Sequence, residues 1–137
     1  MKELEIDAKS ENIEAVLEFI HAELEAIGYS MKAQNQIALA VEEIFINIAK
    51  YAYSPETGSA VIRMAAGDEI VIIFEDNGKP YNPLEKADPD VNAPMEDREI
   101  GGLGIFLVKK IMDVVEYEHK GGKNILTIKW NTIKELS

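Results

Sequence analysis

Glu43 and Asn47 stand four residues apart in the stretch Gln36 to Tyr53, QIALAVEEIFINIAKYAY. On a helix that spacing places a carboxylate beside a carboxamide on one face. A carboxylate can orient a hydroxyl or take its proton, and an amide oxygen suits a hard cation such as magnesium. A second group is Glu75-Asp76-Asn77-Gly78-Lys79-Pro80-Tyr81. An aspartate ending a buried strand can accept a hydrogen bond from an exocyclic amine. A glycine two residues on lets a flat ring approach the backbone. The third group is Gly101-Gly102-Leu103-Gly104, placed to open a helix. Glycines there leave backbone N–H groups free to surround phosphate oxygens, helped by the positive helix end. Each group has a plainer reading when taken alone: a solvated helix face, a turn, a flexible hinge.

The elements that would position these groups follow from hydrophobic spacing. Lys2 to Asp7 alternates and reads as a strand with Leu4 and Ile6 on one face. Ser10 is a candidate N-cap for a helix whose stripe is Ile13, Val16, Leu17, Ile20, Leu24 and Ile27, ended by Gly28. His21 lies off that stripe and reads as a surface residue. The central helix starts near Ser30 or Met31 and ends before Ser54-Pro55. Its apolar stripe is Ile37, Val41, Ile44, Phe45, Ile48 and Ala52; a second stripe, Gln36, Ala40, Glu43, Asn47 and Lys50, is mostly polar. Strands at Ala60 to Ala65 and Glu69 to Glu75 flank a Gly67-Asp68 turn, and the unbroken apolar run Ile70 to Phe74 predicts a central strand covered on both faces. Asn77 to Gly101 is polar, carries Pro83, Pro89 and Pro94, and reads as a lid. Helical spacing resumes over Ile105 to Val114, followed by strands Val115 to His119 and Asn124 to Trp130, where Leu126, Ile128 and Trp130 share a face. The tail, Asn131 to Ser137, reads as frayed. The order β-α-α-β-β-lid-α-β-β predicts an α+β fold, a two-layer sandwich with helices on one face of a mixed, mostly antiparallel sheet.

The 137 residues suit one domain, 1–137, with its lid at about 77–101. There is no cysteine, which excludes disulfides and thiolate chemistry. No signal peptide or membrane-length apolar run is visible, so the expected location is the cytoplasm, with no membrane association. A formal charge of −11 argues against direct nucleic-acid binding. It also means that any nucleotide polyanion must be held by local devices.

In this order, Glu-x-x-x-Asn on a helix, Asp-x-Gly after a strand, a polar lid and Gly-x-Gly opening a helix resemble the GHKL ATPase superfamily, the Bergerat ATP-binding fold. The resemblance covers nearly the whole chain. No P-loop is present. The phrase Ala40 to Tyr53, AVEEIFINIAKYAY, is most similar to the bacterial anti-sigma factor serine/threonine kinases. Those are stand-alone domains that sequester a sigma factor and phosphorylate a serine on a small antagonist protein. The resemblance implies ATP and Mg2+ as cofactors, a sigma factor and a small anti-sigma antagonist as partners, and a homodimer built through the first strand and helix. It implies that Asn47 contacts magnesium, that Glu43 orients the attacking hydroxyl as base, and that Arg98 neutralises γ-phosphate charge. Asp76 would accept from the adenine amine, with Gly78 giving room for the ring. Gly102, Leu103 and Gly104 would donate to the phosphates, and Gly101, Lys50, Tyr81 and Thr127 would complete the nucleotide-binding set. The chain departs from the family pattern at Tyr51, where histidine is frequent, at Pro80, in place of a second glycine, and at Gly122-Lys123-Asn124, in place of Gly-Thr. The competing reading is a non-catalytic module in which ATP gates a protein-binding surface.

Overall fold

The computed structural model describes residues 1–54, 56–85 and 102–131. Its elements run β1 (Lys2–Asp7), α1 (Ile13–Ala26), α2 (Met31–Tyr51), β2 (Ser59–Ala66), β3 (Glu69–Asp76), α3 (Gly102–Ile111), β4 (Val114–Lys120) and β5 (Lys123–Asn131). The strands form one sheet in the order β1-β2-β3-β5-β4, and every neighbouring pair is antiparallel. The expected α+β architecture is present, with an antiparallel sheet rather than a mixed one.

Alternation along the strands sorts side chains onto two faces. Ala60, Ile62 and Met64 of β2, Ile70, Ile72 and Phe74 of β3, and Leu126, Ile128 and Trp130 of β5 are buried on the inner face. They share one core with Val16, Ile20 and Leu24 of α1, Ile37, Val41, Ile44 and Phe45 of α2, and Val108 of α3. Fully burying each of the larger apolar side chains contributes about 1.5–3 kcal/mol. The outer face is different. Val71 and Ile73 are half-buried beside Arg63, which pairs with Glu3 at 2.9 Å and Glu75 at 3.1 Å. The central position predicted for β3 holds, but among the described residues its cover on both faces does not: helices pack only on the inner side.

Local chemistry sets the element ends. Ser30 Oγ accepts from the Ala33 N–H at 3.1 Å and caps α2. Gly28 closes α1 at φ +80°, and Gly121 and Gly122 turn the last hairpin at φ +62° and +77°. Those values suit glycine because a Cβ would be strained there. Ser10 is not the cap of α1. It begins a short 3₁₀ turn, Ser10–Asn12, and the Asn12 side chain donates to the Asp7 carbonyl instead. The helix α3 runs from Gly102 to Ile111, earlier than Ile105 to Val114, because Val114 already pairs with Lys129 in the sheet.

His21 is also not a plain surface residue. Its Nδ1 donates to Gln34 Oε1 at 3.0 Å, while Gln34 Nε2 donates to Glu25 and to the Tyr29 carbonyl. Gln34 is 2 % exposed, so these bonds satisfy a buried amide and tie α1 to α2. Among the described residues, no helix is long and apolar enough to cross a membrane. The tail from 132 and the lid from 86 to 101 lie outside the described residues.

Candidate nucleotide-binding site

At the C-terminal end of β3 a cleft of about 440 Å3, counted to its open mouth, lies between the sheet and the helices. α2 lines it with Ile44, Asn47, Ile48, Tyr51 and Ala52; β3 adds Phe74 and Asp76; β5 adds Asn124 and Leu126. Lys79, Tyr81, Pro83 and Ile105 of α3 complete the wall. The lining is mainly apolar and aromatic, with polar groups entering from Asp76, Asn124, Asn47 and Lys79, the composition expected of a pocket for a flat heterocycle.

Asp76 is the last residue of β3 and is 5 % exposed. Inward alternation along β3 carries it to the same face as Phe74. Its Oδ1 accepts from the Gly78 N–H at 2.8 Å and from Asn124 Nδ2 at 2.9 Å. Both of its side-chain contacts among the described residues fall on that oxygen, which leaves Oδ2 as a pure acceptor in the pocket. A buried carboxylate needs hydrogen-bond donors, and two of them already serve Oδ1. A nucleobase amine could donate to the remaining oxygen, Oδ2, so the acceptor here fits adenine.

The loop after Asp76 is held on the end of α2. Lys79 N–H donates to the Ala52 carbonyl at 2.9 Å. A Cβ on Gly78 would collide with that same carbonyl group. Gly78 therefore serves the close approach of loop and helix; the sequence reading gave it to the base instead, and the structure places its open side against Ala52. Tyr53 secures the other flank. Its hydroxyl accepts from the Asn77 N–H at 2.8 Å and donates to the Ser59 carbonyl at 2.6 Å. Burial pushes the Tyr53 phenol pKa up and the nearby Asp76 charge adds to this, opposed by the Asn77 hydrogen bond.

Asn47 lines the cleft, and Glu43 lies one turn earlier on α2, half-buried. Glu43 faces the first turn of α3: a Cβ on Gly104 would overlap Glu43 Oε2. Gly104 thus lets α3 pass close to the carboxylate. Glu43 and Asn47 of α2 and the opening of α3 are brought together. Among the described residues, no group of three or more His, Cys, Asp or Glu side chains could hold a metal. Asn47 could supply a single amide oxygen, which fits magnesium carried in largely by phosphate oxygens and water.

Two expected residues, Thr127 and Lys50, fall elsewhere. Thr127 lies on the outer face of β5, opposite Ile73 and Glu116, because side chains two apart share a face and its neighbours Leu126 and Ile128 point inward. It cannot touch the cleft. Lys50 is exposed on α2 and does not line it. Arg98 and Gly101 lie outside the described residues, while Gly102 and Leu103 open α3. Tyr81 does line the cleft, with its ring 6.2 Å from that of Tyr51 at 38°.

Asn124 and Tyr53 are not among the expected site residues, yet both hold this end of the cleft. For Asn124 the signal was present: extending the Leu126, Ile128, Trp130 alternation back by two residues reaches Asn124 and not Thr127.

The profile of the histidine kinase-like ATPase domain family matches residues 6–130. The serine-protein kinase RsbW of Bacillus mycoides (strain KBAB4) is 27% identical over 133 residues, covering 93% of this chain and 83% of that protein. The protein of the same name from Bacillus cereus (strain B4264) is 28% identical over the same length. Among solved structures, the RsbU and RsbW domains of Rv1364c from Mycobacterium tuberculosis align with a TM-score of 0.63 at 15% identity. That alignment covers 96% of this chain and 32% of the other, and it shows a shared fold. The matched region begins in β1 and ends in β5, so it takes in every element that builds the cleft, and the chain belongs to the histidine kinase-like ATPase domain family.

Proposed function

We propose that this chain is a serine/threonine protein kinase that binds ATP with Mg2+ in the cleft and phosphorylates a small protein partner. The observation that carries the reading is Asp76: a buried carboxylate lining the cleft, with Oδ1 engaged by two protein donors and Oδ2 left as an acceptor, next to a helix bearing Glu43 and Asn47. Asp76 would hold the adenine amine between Ile44, Ile48, Phe74 and Leu126, and Asn47 would offer its amide oxygen to magnesium. When bound, ATP with its metal supplies a phosphoryl group, whose transfer depends on positioning and charge neutralisation more than on covalent help. Glu43 would hold the partner's hydroxyl and accept its proton.

Kinship with the serine-protein kinases named RsbW supports serine as the acceptor. The sigma factor and the anti-sigma antagonist implied by the sequence resemblance are the partners to test, together with a homodimer. A non-catalytic nucleotide-gated module would have no need of a carboxylate one turn from Asn47. The test is incubation with labelled ATP, Mg2+ and candidate small antagonist proteins, followed by phosphoamino-acid analysis. Label on serine that disappears in Glu43→Ala supports the kinase; nucleotide binding with no transfer to any candidate favours the module.

A further inference from the structure

Asn124 is 8 % exposed, and its amide is used completely. Nδ2 donates to Asp76 Oδ1 at 2.9 Å and to the Lys79 carbonyl at 2.8 Å. Oδ1 accepts from the Tyr81 N–H at 3.3 Å and from the Tyr117 hydroxyl. Two donors and two lone pairs are all that a carboxamide has. Asn124 thus has nothing left with which to touch a ligand, although it lines the cleft.

Its orientation is also fixed. Turning the amide over would set its oxygen against the Asp76 carboxylate and the Lys79 carbonyl, and its NH2 against the Tyr81 N–H. Acceptor would face acceptor and donor would face donor. The antiparallel register places Asn124 directly opposite Asp76 and Leu126 opposite Tyr117, so the three polar groups meet at one end of the sheet.

We infer that Asn124, held by Tyr117, is a positioning residue that makes the site select an amine-bearing base. It engages Asp76 Oδ1 and so leaves Oδ2 as the sole reading group, an acceptor that rewards adenine and repels a ring carbonyl. This rests on the nucleotide reading above. Without Asn124 the carboxylate keeps only the Gly78 N–H and is free to rotate, and water can share its oxygens.

The test is calorimetric titration of the full chain with ATP and with inosine triphosphate, which carries a carbonyl where ATP has the amine. Wild type is expected to prefer ATP. Asn124→Ala should cut that preference about tenfold, and Tyr117→Phe, which retains the amide, should cut it by about threefold. Asn124→Asp adds a signature that a scaffold role would not give. Two carboxyls this close share a proton, so the ATP preference should become pH-dependent. Equal losses for both nucleotides in the Asn124 and Tyr117 variants would overturn the assignment, and Tyr117→Phe decides alone if Asn124→Ala does not fold. A wild type that binds neither nucleotide would overturn the nucleotide reading together with it. A wild type that binds ATP but does not prefer it would overturn only the base-selecting role.

Discussion

Replacing Asp76 by Asn changes one oxygen to an NH2 group in a pocket where each position is already allotted. The Oδ1 position takes hydrogen bonds from the Gly78 N–H and from Asn124 Nδ2. For the new amide to keep both, its oxygen must stay there, and its NH2 must take the place of Oδ2. That group would then face the adenine amine, donor against donor. The opposite orientation would set the NH2 against two donors in the protein. Losing a hydrogen bond to a charged acceptor costs about 1.5–3 kcal/mol, and a buried donor left unpaired adds about 1–3 kcal/mol. The smaller ends of these ranges already sum to about 2.5 kcal/mol, so ATP affinity should fall by roughly 60-fold or more. Inosine triphosphate should gain relative to ATP, because its carbonyl can accept from the NH2. The fold should survive, since the protein's own two hydrogen bonds are retained. Calorimetry with both nucleotides, alongside a thermal melt, measures each part. Unaltered ATP affinity in a folded Asp76→Asn protein would refute the assignment of this carboxylate to the base.

Glu43→Ala should keep ATP affinity within about threefold and lose phosphotransfer by 10²–10⁴-fold, the usual contribution of a general base, in a labelled-phosphate assay. Two glycine variants should behave differently because of what their methyl groups meet. Gly78→Ala drives a Cβ into the Ala52 backbone, which cannot yield, and should destabilise by about 1–3 kcal/mol in urea melts. Gly104→Ala meets only the end of the Glu43 side chain, so its melt should stay near wild type while transfer slows. Tyr53 predicts a pH effect. Its phenol pKa is raised above the ordinary tyrosine value of about 10, so its contribution to stability is complete below about pH 10 and is lost as pH rises through the folded value. Chemical melts from pH 9 to 11 should therefore show a steeper fall for wild type than for Tyr53→Phe.

Much of this was legible because it rests on periodicity. The α2 stripe and the alternation in β1, β2 and β5 depend only on which residues are apolar, and those elements stand where spacing puts them. The Glu43/Asn47 pair and Asp76 were legible for the same reason, since a helix turn and a strand end fix where such side chains go. What escaped was tertiary. The run Ile70 to Phe74 gives no sign of which face a helix will cover. Gly78 looked like room for a ring because no local pattern shows that Ala52, from another element, fills that room. His21 and Gln34 are thirteen positions apart and become partners only when α1 and α2 pack. Alternation in β5 alone places Thr127 on the outer face, away from the cleft.

The helix α2 also governs how base recognition should appear in kinetics. The base loop is docked on Ala52, and Glu43 lies earlier on the same helix. At 1.5 Å per residue the two are about 13 Å apart along one rigid axis. No hinge lies between them, because both sit on the continuous run that begins at Met31 and is extended at its end by the Ala52 N–H to Ile48 carbonyl bond. The contact from Asp76 to the base should then be the same in the bound state and in the transition state. Binding of that uniform kind lowers KM and leaves kcat alone. Inosine triphosphate should therefore be a phosphoryl donor with raised KM and a kcat close to that of ATP, whereas Glu43→Ala should show the reverse pattern. Steady-state kinetics with the two donors separates the cases. A kcat that falls with the loss of the amine would mean that the base contact is used to move the reacting end, and that α2 does not act as the fixed spacer its geometry describes.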